Sequence, residues 1–204
     1  MTLTAECGGE QSDAAISACT TLLGSETIEA PIRVRTLINR ANARAAKGDY
    51  DAAIEDVSES ITLAPEMASS FVLRGTIRQA KGDAAQAIGD YNQAIRLDPN
   101  SADAYIRRGT AFGATHQFER AIQDFNIALE AQPGDTEILA NRGSVLVLAG
   151  QYAEAIPDLD VAIKGLPDSA LLLSLRGTAK LRTGDHAGAD ADFAQARKID
   201  PTIR

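Results

Sequence analysis

Hydrophobic and small side chains return along most of the chain with a period of 34 residues. One column holds large apolar residues, namely Val57, Tyr91, Phe125, Leu159 and Phe193. A second column is small, namely Ala41, Gly75, Gly109, Gly143 and Gly177, and a third is Ala53, Ala87, Ala121, Ala155 and Ala189. The two small columns are expected to lie in two different helices, whose backbones can then approach closely. A fixed period of this length is typical of stacked helix-pair repeats.

The residues that mark helix ends and turns recur with the same period of 34. Prolines occupy one column, namely Pro31, Pro65, Pro99, Pro133, Pro167 and Pro201. The turn between two helices needs a left-handed residue, which glycine supplies and histidine tolerates better than most. Its column holds Gly48, Gly82, His116, Gly150 and Gly184. The sequence therefore predicts an all-α fold, an α-α superhelical solenoid of five helix-turn-helix repeats, at residues 34–67, 68–101, 102–135, 136–169 and 170–203.

The N-terminal segment, residues 1–33, is predicted to hold one capping helix at about residues 12–23. Ser12 is a good N-cap and Asp13 suits the first turn of a helix. The sequence DAAI at residues 13–16 returns at residues 51–54, a spacing of 38 rather than 34. We therefore interpret this segment as a half repeat with a longer connection to the first full one.

Two columns carry opposite charges. The first is Arg40, Arg74, Arg108, Arg142 and Arg176, and the second is Asp56, Asp90, Asp124, Asp158 and Asp192. Each adjoins a column that packs the helices together, so we predict an internal ladder of ion pairs, within or between neighbouring repeats. The alternative is an arginine row that binds an anionic ligand, which five matching aspartates would neutralise.

The whole pattern resembles the tetratricopeptide repeat family, through the small, alanine, large apolar and proline columns and a leading hydrophobe at Leu37, Phe71, Tyr105, Leu139 and Leu173. It departs from the family at the aromatic position of the first helix, which is Arg44, Arg78, Phe112, Leu146 and Lys180 here. The resemblance implies antiparallel helix pairs in a right-handed superhelix. It also implies a concave groove, lined by the first helix of each pair, that binds a peptide or helix of another protein.

The residues assigned to that partner-binding groove lie on the first helices. They are Arg35, Ile38, Asn39, Asn42, Val72, Thr76, Gln79, Asp103, Ile106, Arg107, Thr110, Glu137, Asn141, Ser144, Leu171, Ser174 and Thr178. Their surface is mixed and partly apolar. The amides of Asn39, Asn42 and Asn141 could hydrogen-bond the backbone of an extended peptide.

Composition narrows the function classes. The chain of 204 residues carries a net charge of −8 with a pI near 4.8. An acidic surface disfavours nucleic acid and anionic membranes as partners, and no apolar stretch reaches the length of a membrane span. The sequence contains no glycine-rich phosphate loop, nucleophile elbow or metal-spaced cluster. We therefore expect no enzyme activity, no cofactor and no metal.

The only cysteines are Cys7 and Cys19. They either form a disulfide, which would indicate a periplasmic or otherwise exported protein, or remain free thiols, in which case the protein is expected to be cytoplasmic. The two cysteines and their helix are similar to those of bacterial exported tetratricopeptide proteins.

Three functions remain open from the sequence. The first is a non-catalytic scaffold that binds a partner protein in its groove. The second is a structural protein that assembles into homo-oligomers through its own repeats. The third is an accessory subunit of an exported or envelope complex.

Overall fold

A computed structural model describes Cys7 and residues 12–202 of the chain. The described residues 12–202 form helices joined by short turns and connections. They are α1 Asp13–Leu23, α2 Ala30–Ala46, α3 Tyr50–Leu63, α4 Ala68–Lys81, α5 Ala84–Leu97, α6 Ala102–Ala114, α7 Phe118–Ala131, α8 Thr136–Leu148, α9 Tyr152–Gly165, α10 Ala170–Thr183 and α11 His186–Ile199. The predicted all-α class, a helical solenoid of helix-turn-helix repeats, is confirmed.

The chain divides into two compact units, Met1–Arg107 and Arg108–Arg204, with the division inside α6. In the first unit, α1 packs on α2, α2 on α3, α3 on α4, and α4 on α5. In the second unit, α7 packs on α8, α8 on α9, α9 on α10, and α10 on α11. Each element therefore packs mainly on its neighbours in sequence, as in other repeat proteins.

The turns inside the repeats have the left-handed backbone that the sequence predicts. Gly48, Gly82, Gly150 and Gly184 have φ values of +82°, +98°, +79° and +94°. His116, in the same position, has φ +58° and is the only non-glycine residue with positive φ in the described chain. A side chain at this position is strained, and here its ring makes an edge-on contact with Phe118, 5.6 Å between centroids.

The small column of each first helix faces the large apolar column of the second helix in the same repeat. A Cβ atom at Gly75 would lie 2.6 Å from Cε1 of Tyr91, and one at Gly177 would lie 2.8 Å from Cε1 of Phe193. In the first repeat the small residue is Ala41, and its partner Val57 is correspondingly smaller. The glycines thus make room for the larger partners, which lets the helices approach closely.

The first repeat begins earlier than its period predicts. Helix α2 starts at Ala30, so the predicted boundary between residues 33 and 34 falls inside it, and Pro31 lies in its first turn. A proline there loses no hydrogen bond, because the first N–H groups of a helix have no partner within the helix. The later prolines instead follow the ends of second helices, as Pro65 follows the cap Ala64 of α3.

Helix α1 carries one half of a disulfide. Its N-cap is Ser12, whose side chain accepts a hydrogen bond from the Ala15 N–H at 3.2 Å. The sulfur atoms of Cys7 and Cys19 are 2.08 Å apart, and both residues are buried. The disulfide therefore joins Cys7 to helix α1.

We predict opposite effects for alanine at two glycines of the first unit. Gly75→Ala should destabilise the protein by about 1–3 kcal/mol, because the new methyl group meets the buried Tyr91 ring. Gly89→Ala, on the exposed side of α5 where a Cβ meets nothing within 4 Å, should stabilise it by about 1 kcal/mol through helix propensity. Urea unfolding measures both, and equal effects of the two variants would contradict the packing account.

Candidate partner-binding surface

Arginine and aspartate side chains join the two helices of every repeat. In each repeat the guanidinium binds the carboxylate sixteen residues later through two of its nitrogens, as Arg40 binds Asp56 at 2.7 and 3.0 Å. The same contacts join Arg74 to Asp90, Arg108 to Asp124, Arg142 to Asp158 and Arg176 to Asp192, with shortest distances of 2.6–2.7 Å. The predicted ladder is confirmed, and these pairs form within repeats.

The same arginines also reach the preceding repeat or the cap. Nη1 of Arg74 donates to the Ser58 hydroxyl at 3.1 Å, and Nη1 of Arg176 donates to the Asp160 carboxylate at 2.8 Å. Nη1 of Arg40 binds Thr20 and that of Arg142 binds Asn126. In these four repeats, one guanidinium therefore binds the aspartate of its own repeat through Nε and Nη2. Its Nη1 binds a side chain on the preceding helix.

A second cation binds the same aspartate in three repeats. Arg44 contacts Asp56 at 2.8 Å, Arg78 contacts Asp90 at 2.7 Å, and Lys180 contacts Asp192 at 2.9 Å. These cations occupy the column in which the chain departs from the family's aromatic residue. The departure is visible in the sequence, but the binding of these cations to the aspartate column was not predicted. The signal was available, because each cation stands twelve residues before the aspartate that it binds.

These contacts decide the electrostatics of the ladder. Burial of the Asp192 carboxyl opposes its ionisation, but hydrogen bonds from Arg176 and Lys180 outweigh burial and hold the pKa of Asp192 below its usual value. The five aspartates are buried, with 3–5% of each residue exposed. The arginine column is thus committed to internal carboxylates, so the alternative of an anion-binding arginine row loses its basis.

The first unit contains a cavity of about 460 Å³ that is lined by residues outside the arginine column of the ladder. Five of the predicted groove residues line it: Asn42 on α2, Val72 and Thr76 on α4, and Asp103 and Arg107 on α6. The first helices of three successive repeats therefore meet at one concavity. The rest of the lining consists of Ala68, Ser69, Leu73, Asp98 and Ser101.

Apolar and polar groups share this cavity. Ala68, Val72 and Leu73 give it an apolar wall, whereas Asn42, Ser69 and Ser101 contribute an amide and two hydroxyl groups. Arg107 Nε donates to Asp103 Oδ1 at 2.8 Å in an exposed ion pair. Such a mixture suits a side chain with an apolar stem and a peptide backbone with polar groups.

The other predicted residues of the first unit do not line the cavity. They are Arg35, Ile38, Asn39, Gln79 and Ile106. Arg35 is exposed and the other four are partly exposed. Gln79 is already engaged, because its Oε1 accepts a hydrogen bond from the Tyr91 hydroxyl at 3.0 Å. Burial of the ring raises the pKa of Tyr91, which keeps that hydroxyl a donor.

The predicted residues of the second unit all reach the surface. They are Thr110, Glu137, Asn141, Ser144, Leu171, Ser174 and Thr178. Leu171 is 64% exposed, and two further leucines of this unit, Leu148 and Leu181, are 61% and 45% exposed. Leu171 and the partly exposed Leu175 lie one turn apart on α10, so part of this surface is apolar.

Several hydroxyl groups expected at the surface are occupied by their own helix. Thr76 donates to Val72 O at 2.9 Å, Ser144 to Ala140 O at 2.6 Å, and Thr178 to Ser174 O at 2.9 Å. Each of these side chains therefore offers a ligand only acceptor lone pairs. The Ser174 hydroxyl is buried and has no hydrogen-bond partner among the described residues.

Two further observations concern the described part of the chain. It contains no group of three His, Cys, Asp or Glu side chains placed to hold a metal ion. None of its helices has both the length and the apolar character needed to cross a membrane.

Comparison with known families identifies the repeats. Family models described as a tetratricopeptide repeat match residues 34–67 and 106–170, and a model described as a TPR repeat matches residues 75–115. The chain is a tetratricopeptide repeat protein. Proteins of this family are in general non-catalytic interaction scaffolds, and the chain is accordingly a scaffold for protein interaction. No curated protein sequence matches the chain.

Solved structures with the same fold include other repeat proteins of this family. The crystal structure of YrrB, described as a TPR protein with an unusual peptide-binding site, is 20% identical and covers 92% of this chain and 94% of that one, with a TM-score of 0.75. A crystal structure of MamA protein is 21% identical, with coverages of 83% and 92% and a TM-score of 0.74. MamA from Desulfovibrio magneticus RS-1 is 18% identical, with coverages of 83% and 96% and a TM-score of 0.76. Identities this low establish the shared fold alone.

The ladder predicts a large difference between two aspartates of the first unit. Asp90→Asn should destabilise the protein by about 2–3 kcal/mol, because Arg74 and Arg78 lose the buried carboxylate that they share. Asp103→Asn removes an exposed pair and should change stability by less than about 1 kcal/mol. Chemical denaturation of both variants tests this, and an Asp90 effect as small as that of Asp103 would refute a structural role for the ladder.

The lowered pKa of Asp192 predicts a loss of stability in acid. A carboxyl whose pKa is lower in the folded state stabilises the protein at pH values above the unfolded pKa, about 3.9, and loses that contribution as pH falls through the folded pKa. The difference in unfolding free energy between wild type and Asp192→Asn should therefore be constant from about pH 5 to pH 7 and shrink below about pH 4. A difference that grows in acid would contradict the assignment.

Proposed function

We propose that the protein binds a peptide segment or helix of a partner protein in the concavity lined by the first helices of its first unit, without catalysing a reaction. The observation that carries the proposal is the cavity of the first unit, where Asn42, Val72, Thr76, Asp103 and Arg107 meet. Its volume lies in the range of ligand sites, and its apolar wall with a few polar groups is typical of them.

Each component has a definite task in this proposal. The wall at Val72 accepts an apolar part of a partner side chain. The Asn42 amide, which can both donate and accept, hydrogen-bonds the partner's backbone. Asn141 offers the same chemistry in the second unit. The similarity in fold to YrrB, which is described as having a peptide-binding site, supports a peptide as the ligand.

Self-assembly is a second candidate, because the second unit leaves large apolar side chains uncovered. Leu148 and Leu171 each expose more than three fifths of their surface, and burial of apolar surface drives most protein–protein association. A second copy of the chain would bury them in a homo-oligomer. A sedimentation mass that stays monomeric as concentration rises would remove this candidate.

The disulfide supports the third candidate, an accessory subunit of an exported or envelope complex. Disulfides persist in oxidising compartments such as the periplasm and are rare in the cytosol. The bonded pair of Cys7 and Cys19 therefore favours export over a cytoplasmic location. Two free thiols in unreduced protein taken from its native cells would remove that support.

Peptides selected from a displayed random library should bind at the cavity of the first unit. Ser69→Arg places a long cationic side chain at an exposed lining position and should weaken their binding by more than about tenfold, or about 1.4 kcal/mol. The matched control is Gln86→Arg, since Gln86 is exposed on α5 and does not line the cavity.

Fluorescence anisotropy with labelled peptides compares the three proteins. The control should bind within about twofold of wild type, which corresponds to about 0.4 kcal/mol. Selected peptides that bind all three proteins equally well occupy another surface, and that result would overturn the proposed site.

A further inference from the structure

We infer that the cavity of the first unit selects a basic partner segment and takes up a lysine side chain, with its ammonium group beside Asp98 and its methylene stem along Val72 and Leu73. This inference rests on the proposed function and specifies the chemistry of the partner.

The charges that line the cavity sum to a negative value. Arg107 is the only lining cation, and its Nε is bound to Asp103 at 2.8 Å. Asp98 is exposed and forms no ion pair with any described residue. Its Oδ1 accepts a hydrogen bond from the Asn100 N–H at 3.1 Å. One carboxylate is thus left without a counter-charge at the rim.

Asp98 lies at the C-terminal end of helix α5. Asp98 directly follows α5 and is its C-cap, with its N–H bound to Ala94 O. The end of a helix carries a partial negative charge, so a carboxylate is unfavourable there and a cation is favourable. Arg96, in the last turn, binds Gln93 instead of Asp98. A cation supplied by a partner would meet both the carboxylate and the helix end.

The fold does not require an acid at this position. The preceding repeat has Ala64 as the corresponding C-cap, and its helix ends with the same bond from the cap N–H to the carbonyl four residues earlier. The carboxylate of Asp98 is therefore an addition to the repeat that happens to line the cavity.

Lysine matches both parts of the cavity. Its stem of methylene groups packs on apolar surface while its ammonium group stays at the polar rim. An acidic peptide would instead meet two carboxylates and one arginine that is already paired, and such repulsion discriminates between partners. The net charge of −8 also accelerates the approach of a basic segment.

Three short labelled peptides of equal length test the inference. Each contains leucine at the same positions and either lysine, glutamine or glutamate at the others. Anisotropy titrations at low salt should give the tightest binding for the lysine peptide and the weakest for the glutamate peptide. The advantage of lysine over glutamine should shrink as salt is raised, because the ion pair lies at an exposed rim.

Variants separate the local carboxylates from the overall charge. Asp98→Asn should weaken the lysine peptide by about threefold, the size of one exposed ion pair, and leave the glutamine peptide unchanged. Asp200→Asn is the matched control, because Asp200 occupies the same position of the last repeat and its carboxylate accepts a hydrogen bond from the Thr202 N–H. This control should keep the wild-type preference.

The double variant Asp98→Asn with Asp103→Asn leaves Arg107 as the only charge on the cavity lining. Its preference should reverse toward the glutamate peptide, which neither misfolding nor a general loss of affinity would produce.

Equal binding of the lysine and glutamine peptides by wild type, with both blocked by Ser69→Arg, would overturn the basic partner and leave the proposed site intact. A lysine preference lost equally in Asp98→Asn and Asp200→Asn would also overturn it. Failure of all three peptides to bind would contradict the inference and the proposed function together.

Discussion

The ion pair between a first-helix arginine and a second-helix aspartate is the contact on which the repeats depend. The aspartates are almost completely buried, and a buried carboxylate is tolerated only when it is paired and hydrogen-bonded. The guanidinium satisfies it with two parallel bonds, which fix orientation as well as distance. Since the same guanidinium also binds the preceding helix in most repeats, one side chain sets the geometry inside a repeat and to its neighbour within each unit.

This use of charge determines what is left for function. The five arginines that resemble an anion-binding row are bound to buried aspartates. The cavity of the first unit is therefore lined by side chains outside that column. The cavity collects an amide, hydroxyl groups, an apolar wall and an unbalanced carboxylate. The second unit exposes Leu148, Leu171 and Leu181 in addition to polar side chains such as Asn141.

Most of the fold could be predicted from the sequence because its determinants are periodic. The glycine at the turn, the small column and the ladder each recur at a fixed spacing, and each has the predicted position in the structure. The early start of α2 at Ala30 could not be predicted in this way, because it occurs once. The paired role of Arg78 and Lys180 was missed because the family pattern directed attention to an absent aromatic residue.

Only part of the candidate site could be predicted from the periodic pattern. Assigning the groove from first helices found Asn42, Thr76 and Arg107, but it excluded Asp98, which follows a second helix and enters the cavity through the connection between repeats. Such positions are free to vary because the helix ends equally well on Ala64 or on Asp98. A comparison of equivalent positions between repeats thus shows which side chains the fold does not require. A residue that the fold does not require, and that nevertheless faces a cavity, is where this scaffold has room to specify its partner.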